Sequence, residues 1–267
     1  MSERKQIITP EWQKPVIAVP LTQAFPALGE VKEFKSKICL FNHNRTRVFD
    51  VVSDKYKVID HGQALTVITD SVQGFFSDTD IQPSVRSMQG GARIVATFKL
   101  PLPQIKVKKG DLTDVTLTMR NSYDRSSPFS ATLGGLRLVC TNGMKMGTTF
   151  GSIKARHVGG ANEEARDEYI HGQLSKMAKS LPLVQEMWQE WDETKVSYDE
   201  AVALLHGKFP QKYLGAVLSP DRFPRSKWEL YNDLTRFATH DTKSIQRRLD
   251  FDDTISRLFY EHDDDGE

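Results

Sequence analysis

Between Ile81 and His157 the chain carries twelve Lys or Arg residues against three carboxylates, a net of +9 with no Glu. The cations are Arg86, Arg93, Lys99, Lys106, Lys108, Lys109, Arg120, Arg125, Arg137, Lys145, Lys154 and Arg156, and the acids are Asp111, Asp114 and Asp124. The chemistry this pattern offers is electrostatic. Each phosphate that such a surface neutralises releases condensed counterions. A surface that only confers solubility mixes the two signs, so the shortage of carboxylates points to a polyanionic ligand. Tyr123 and Phe150 lie in polar stretches, where a ring can stack on an unpaired base for roughly 1–3 kcal/mol. Tyr123 and the twelve cations are therefore the candidate nucleic-acid-binding residues, with single-stranded DNA as the ligand. Lys106, Lys108 and Lys109 form the densest group, read as a flexible loop suited to backbone contacts.

The opposite charge sits at the other end. From Asp250 onward there are eight acids and one basic residue, Arg257, a net of −7 in a chain whose total is +1. Residues 1–249 thus carry +8. Glu261, Asp263, Asp264, Asp265 and Glu267 are expected to form a disordered tail beyond Phe259 and Tyr260, which are either the last anchored residues or a hydrophobic handle for a partner. Such a tail can enter a basic groove as a phosphate mimic and resembles the acidic tails of single-strand-binding proteins. Once displaced, it is available to phage or host replication and recombination proteins.

Covalent and metal chemistry have weaker signals. His240–Asp241 and the acids of Asp250–Asp253 have no helix-spaced partner of the H-E-x-x-H kind. Asn121–Ser127 offers hydroxyls and a carboxylate without an adjacent base, a composition typical of Asx and Ser turns. The glycine-rich stretches match neither a Walker A loop nor a dinucleotide fingerprint. No Cys/His spacing suits zinc. The reading is a non-catalytic protein that needs neither cofactor nor metal. A metal-dependent nuclease built around Asp124 is the enzymatic alternative.

The elements that would position these residues follow from periodicity. Pro10, Pro15, Pro20 and Pro26 make residues 1–30 an extended arm. Residues 31–160 read as an α+β core, an antiparallel β-meander with one early helix. In that helix, Leu65, Ile68, Val72 and Phe75 recur at spacings of three and four. Gly90–Gly91 marks a hairpin. In Arg93–Lys99 the residues Ile94, Ala96 and Phe98 face one way. In the next strand Val115, Leu117 and Met119 oppose Thr116, Thr118 and Arg120. Gly134–Gly135 is expected to break the following strand. The sheet then has an apolar face under helices and a basic, hydroxyl-rich face open to water. Residues 161–249 are mainly helical and packed on the core, with Pro182 kinking or dividing the first helix and Ser197–Glu200 forming a capping box. Residues 158–200 hold ten acids against four Lys or Arg, so charge is partitioned by segment. Residues 250–267 are the acidic tail.

The region of about residues 80–160, and within it the string from Leu117 to Gly160, resembles a group of uncharacterised bacterial proteins carried by prophages, phages and conjugative plasmids. The matching residues are Asn121, Ser122, Asp124, Ser126 and Ser127; then Arg137, Cys140, Thr141, Asn142 and Gly143; then Arg156 and His157. A looser likeness covers Ser226–Phe237. The resemblance implies a mobile-element origin and supplies no activity. At the level of topology, a helix, a meander and a following helix resemble the annealing core of Rad52-like proteins.

Two widely separated cysteines, Cys39 and Cys140, fit a reducing cytosol as buried hydrophobes. There is no apolar run of spanning length and no secretory leader, so a (host) cytoplasmic location and no membrane are expected. The functional expectation is a phage or plasmid protein that binds single-stranded DNA and anneals or recombines it. The alternative from another class is a protein-binding inhibitor of a host defence factor. Oligomeric state, including a homo-oligomer, is left open.

Overall fold

Val19 lies buried between exposed neighbours in β1 (Ile17–Pro20). That strand pairs antiparallel with β2 (Lys37–Phe41), which pairs antiparallel with β3 (Val48–Ser53). Cys39 sits opposite Val19 and Val51 in this register and is fully buried. The described part of the segment expected to be an extended arm, residues 10–28, therefore includes an edge strand followed by a single helical turn, α1 (Leu21–Ala24). Proline is compatible with this, since Pro20 ends an edge strand where no ladder donor is needed. These elements come from a computed structural model that describes residues 10–28, 32–137, 142–145, 152–155 and 163–260. At residues 136–137, 142–145, 152–155, 163–168 and 245–246 it describes the backbone alone.

The early helix is α2 (His61–Phe75), with Asp60 as its N-cap, accepting the Gln63 N–H at 3.1 Å. Its buried stripe runs through Ala64, Ile68 and Val72, spaced by four as one helix face requires. The second sheet is built from β4 (Ser84–Met88), β5 (Arg93–Lys99), β6 (Ile105–Lys106), β7 (Leu112–Ser122), β8 (Phe129–Arg137), β9 (Asn142–Lys145) and β10 (Ser152–Ala155). Its order is β10-β8-β7-β5-β4, with β6 paired to β7 and β9 paired to β8. The β4–β5 turn uses left-handed backbone at Gln89, Gly90 and Gly91, with φ of 52°, 63° and 89°. The glycine pair supplies most of that geometry.

Three expectations for this sheet need correction. The alternation in β5 is as expected, with Ile94, Ala96 and Phe98 buried. In β7, however, the polar face is largely enclosed too: Asp114, Thr116 and Arg120 are buried and Thr118 is half-buried, opposite the fully buried Val115, Leu117 and Met119. Alternation assigns residues to faces and is silent on whether a second layer covers the polar one. Arg120, the one basic residue of this strand, is therefore not on an open face. Next, β8 is not broken at Gly134–Gly135; the two glycines pair with Lys145 and Met144 inside a continuous strand. Last, the Lys106–Lys109 stretch is no flexible loop, as its hydrogen bonds below make clear.

The C-terminal half holds α3 (Glu163–Glu193), β11 (Lys195–Val196), α4 (Tyr198–Leu205), α5 (Gln211–Val217), β12 (Arg225–Ser226), α6 (Lys227–Arg236) and α7 (Ile245–Tyr260). Pro182 lies inside α3 without dividing it. Ser197–Glu200 forms the expected capping box, and Ser226–Glu229 forms a second at the start of α6. α7 runs through Asp250, Asp252 and Asp253, so the acidic end counted from Asp250 begins as helix. Phe259 on its last turn is fully buried, as an anchor must be. The chain is thus α+β, with antiparallel sheets first and helices concentrated in the C-terminal half.

The chain forms two compact units. The first comprises Met1–Phe98, Thr118–Ala131 and Ile153–His171; the second comprises Lys99–Leu117, Thr132–Ser152 and Gly172–Glu267. The first unit's core gathers Cys39, Leu40, Ile68, Val72, Ile94, Phe98 and Met119. The second unit's core is aromatic: Trp188 packs on Trp228 with centroids 4.9 Å apart, and Tyr231 lies 5.0 Å from Phe259. No described helix is long and apolar enough to cross a membrane.

Candidate nucleic-acid interface

Asn121, Ser122, Asp124, Ser126 and Ser127 build a clasp in the first unit. Asn121 Nδ2 donates to the Ile59 carbonyl at 2.8 Å, and the same amide lies 2.9 Å from His61 Nδ1. On the other side of the ring, His61 Nε2 lies 3.1 Å from the Gly91 carbonyl. A carbonyl can only accept, so Nε2 carries the proton and Nδ1 accepts from Asn121. The imidazole is neutral, and burial pushes its pKa down to about 4. Tyr123 stacks on it at 3.7 Å, accepts the His61 backbone N–H at 2.8 Å and donates to Asp60 Oδ2 at 3.2 Å. Ser122 Oγ donates to the Ser127 carbonyl and accepts the Ser127 N–H, closing the turn.

Tyr123 is 1% exposed, so its ring is no platform for an incoming base. Composition alone puts it in a polar loop; in the fold it fills the space between Phe49 and His61. Asp124 pairs with Arg93 at 2.5 Å and accepts the Ser126 N–H at 3.1 Å. Burial alone would raise the Asp124 carboxyl, but the Ser126 and Arg93 hydrogen bonds outweigh it and hold the pKa below its usual value. The carboxylate considered as a nuclease centre is thus an ion-pair and turn residue. Among the described residues no three His, Cys, Asp or Glu side chains converge as a metal site.

The other cations separate by environment. Arg120 is 8% exposed on β7. Arg125 makes a bidentate pair with Asp50, and Lys99 reaches Asp114 at 2.6 Å. Lys108 reaches Asp192 at 2.8 Å. Asp50 and Asp192 lie outside the segment that carries the +9, so part of that charge is neutralised by acids brought in from elsewhere. Arg86 is exposed on β4. The side chains of Arg137, Lys145 and Lys154 lie outside the described residues, as do Arg156, Phe150, Cys140 and the tail acids Glu261, Asp263, Asp264, Asp265 and Glu267.

What the second unit assembles is a lysine hairpin. Ile105 and Val107 point inward, which turns Lys106 and Lys108 outward. The turn is closed by Asp111 N–H donating to the Lys108 carbonyl at 3.0 Å, with Gly110 at φ 81°. Two glutamines of α3 fasten it: Lys106 N–H donates to Gln185 Oε1 at 3.1 Å, and Gln189 Nε2 donates to the Lys106 carbonyl at 3.0 Å. Trp228 Nε1 donates to Asp111 Oδ2 at 3.0 Å from α6. Lys106, Lys108 and Lys109 are exposed on this fixed turn. Lys108 also lines a cavity of about 430 Å³ with Arg222 and Arg225. Charge density along the chain does not single out those two arginines. The available signal is their position within the four residues before the Ser226 capping box.

The structure therefore defines an α+β protein with a rigid, lysine-bearing hairpin beside an arginine-lined cavity in its helical unit. The chain belongs to the family described as Domain of unknown function (DUF932), whose model matches residues 48–258. No curated protein and no solved structure matches it.

Proposed function

We propose that this protein binds nucleic acid, single-stranded DNA first, through the hairpin Lys106–Lys109 and the arginines beside it, as part of DNA handling by a phage or plasmid. The supporting observation is that Lys108, Arg222 and Arg225 share one cavity while Lys106 and Lys109 stand exposed on the same hairpin. Lysines on a hydrogen-bonded turn bind a phosphate backbone with less backbone entropy lost than lysines on a mobile loop. Annealing of complementary strands is the activity this reading favours, and no catalytic role is assigned to any residue.

The test is a titration of fluorescent single- and double-stranded oligonucleotides against salt. Changing Lys106, Lys108 and Lys109 together to Ala should weaken single-strand binding irrespective of sequence. The slope of log affinity against log salt should flatten by about 2, at roughly 0.7 for each phosphate no longer neutralised. Unchanged affinity and slope would remove the hairpin from the interface. Failure of the wild-type chain to bind any strand below about 10 μM at low salt would favour the protein-binding inhibitor instead. Cutting of the oligonucleotide on addition of Mg²⁺ or Mn²⁺ would favour a nuclease.

The acids of 261–267 supply the proposed competitor. Deleting those seven residues removes five negative charges and no Lys or Arg. The truncated protein should bind single strands more tightly at low salt, and the gain should shrink as salt screens both competitor and ligand. Equal affinities at low salt would leave the tail as a solubility feature.

A further inference from the structure

Arg225 is 5% exposed, and its guanidinium is held in place before any ligand arrives. Its Nη2 donates to the Glu229 carbonyl at 2.9 Å, its Nη1 lies 2.9 Å from Asp233 Oδ2, and its face lies over the Phe223 ring at 5.4 Å. Its backbone sits in β12, paired with Val196 of β11, immediately before the α6 cap. Yet its Nε is buried without a hydrogen-bond partner among the described residues. A buried donor left unmatched is unfavourable, and an anionic oxygen that reached it would satisfy it.

The neighbouring charges point the same way. Arg222 Nη2 lies 2.5 Å from Asp233 Oδ2, so two guanidiniums share one carboxylate oxygen. Glu229, the other acid on the cavity wall, directs its carboxylate to the Ser226 N–H within the capping box. A second cavity of about 450 Å³ shares Arg222 and Asp233 and adds Lys212 and Arg236. Around the two cavities five cations face three acids, and a fourth acid, Asp192, pairs with Lys108 from outside the lining, leaving a surplus of one positive charge. Burial lowers the Arg225 pKa, Asp233 opposes this, and Arg222 adds to it. A bound anion opposes both contributions by favouring the charged guanidinium.

We propose that Lys108, Arg222 and Arg225 form a site for a phosphate monoester carried by a nucleotide. Two planar forks and one compact ammonium suit the dianionic, three-oxygen end of a monoester. The cavity is larger than a lone phosphate ion needs and falls within the range of about 300–1,000 Å³ typical of small-ligand sites, leaving room for a sugar and base. The monoester has two possible sources, the phosphorylated end of a strand or a free mononucleotide. The strand-end form rests on the nucleic-acid reading above; the mononucleotide form does not.

The test uses the full-length chain, one oligonucleotide prepared with a 5′-phosphate, a 3′-phosphate or neither, and adenosine monophosphate as the free probe. A phosphorylated end should bind about tenfold tighter than the unphosphorylated strand, and millimolar mononucleotide should erase the advantage. Arg222→Ala, at a side chain 45% exposed, should abolish it without loss of fold, and Arg225→Lys should do the same by removing the fork. If neither phosphate helps but the mononucleotide raises the melting temperature in wild type and not in Arg222→Ala, the site takes the free nucleotide. The proposal is overturned if all three strands bind alike and the mononucleotide produces no thermal shift. It is equally overturned if the advantage survives in both variants. Equal, lysine-dependent binding of all strands with no mononucleotide shift defeats this site and leaves the nucleic-acid reading intact. A mononucleotide shift without any strand binding does the reverse.

Discussion

Acidification from pH 6.5 to pH 4 should cost the folded protein about 3 kcal/mol through His61 alone. The ring is neutral in the fold, with its Nδ1 accepting from Asn121 and its Nε2 donating to the Gly91 carbonyl. Its pKa lies at about 4 against an ordinary value of 6.5. Between those values the unfolded chain holds a proton on this residue that the folded chain does not. Stability therefore rises with pH across the window, is fully present above about 6.5, and is lost as pH falls towards 4. Asp114 and Asp124, both held below their ordinary 3.8, lose their contributions only at lower pH, so the windows separate. Denaturant midpoints of wild type and His61→Gln, measured from pH 7.5 to 4, check this. The wild-type curve should descend more steeply by that amount. Parallel curves would mean that the imidazole can charge without leaving its place between Asn121 and Gly91.

Replacing Trp228 by Ala should destabilise the second unit by about 3–5 kcal/mol. The indole is fully buried, packs against Trp188 at 4.9 Å and Tyr231 at 5.8 Å, and donates to Asp111 at 3.0 Å. Removing it opens a cavity between large rings and takes a donor from a buried carboxylate. The consequence extends to the lysine hairpin, because Asp111 also closes that turn through its backbone. Trp228→Phe retains most of the ring and should cost about 1–3 kcal/mol, chiefly through the missing hydrogen bond. Chemical denaturation followed by tryptophan fluorescence measures both. A loss below about 1 kcal/mol for the alanine variant would mean that the cluster repacks around the gap.

Local patterns carry much of this fold. The helix around Ile68 and Val72, the hairpin at Gly90–Gly91, the alternation of Ile94, Ala96 and Phe98, and the Ser197–Glu200 box all rest on interactions within a few residues, which composition and spacing can express. The order of sheets before helices follows from the same signals. The Asn121–Ser127 motif is legible as turn chemistry, although its tie to His61, some 60 positions away, is not.

Charge is where local patterns fail, because charges pair through space. Arg125 meets Asp50 and Lys108 meets Asp192, so a segment with a surplus of cations is partly neutralised by distant acids. Burial behaves in the same way: Tyr123 and Arg120 sit among polar neighbours along the chain, yet other layers of the fold enclose them. Residue order suffices for the α+β class, for most elements and for the lysines of the hairpin. Which cations stay exposed is settled only by packing in three dimensions, and so is the meeting of Lys108 with Arg222 and Arg225, more than a hundred positions away. Meetings of that kind depend on how helices and strands pack, and no periodicity along the chain encodes them.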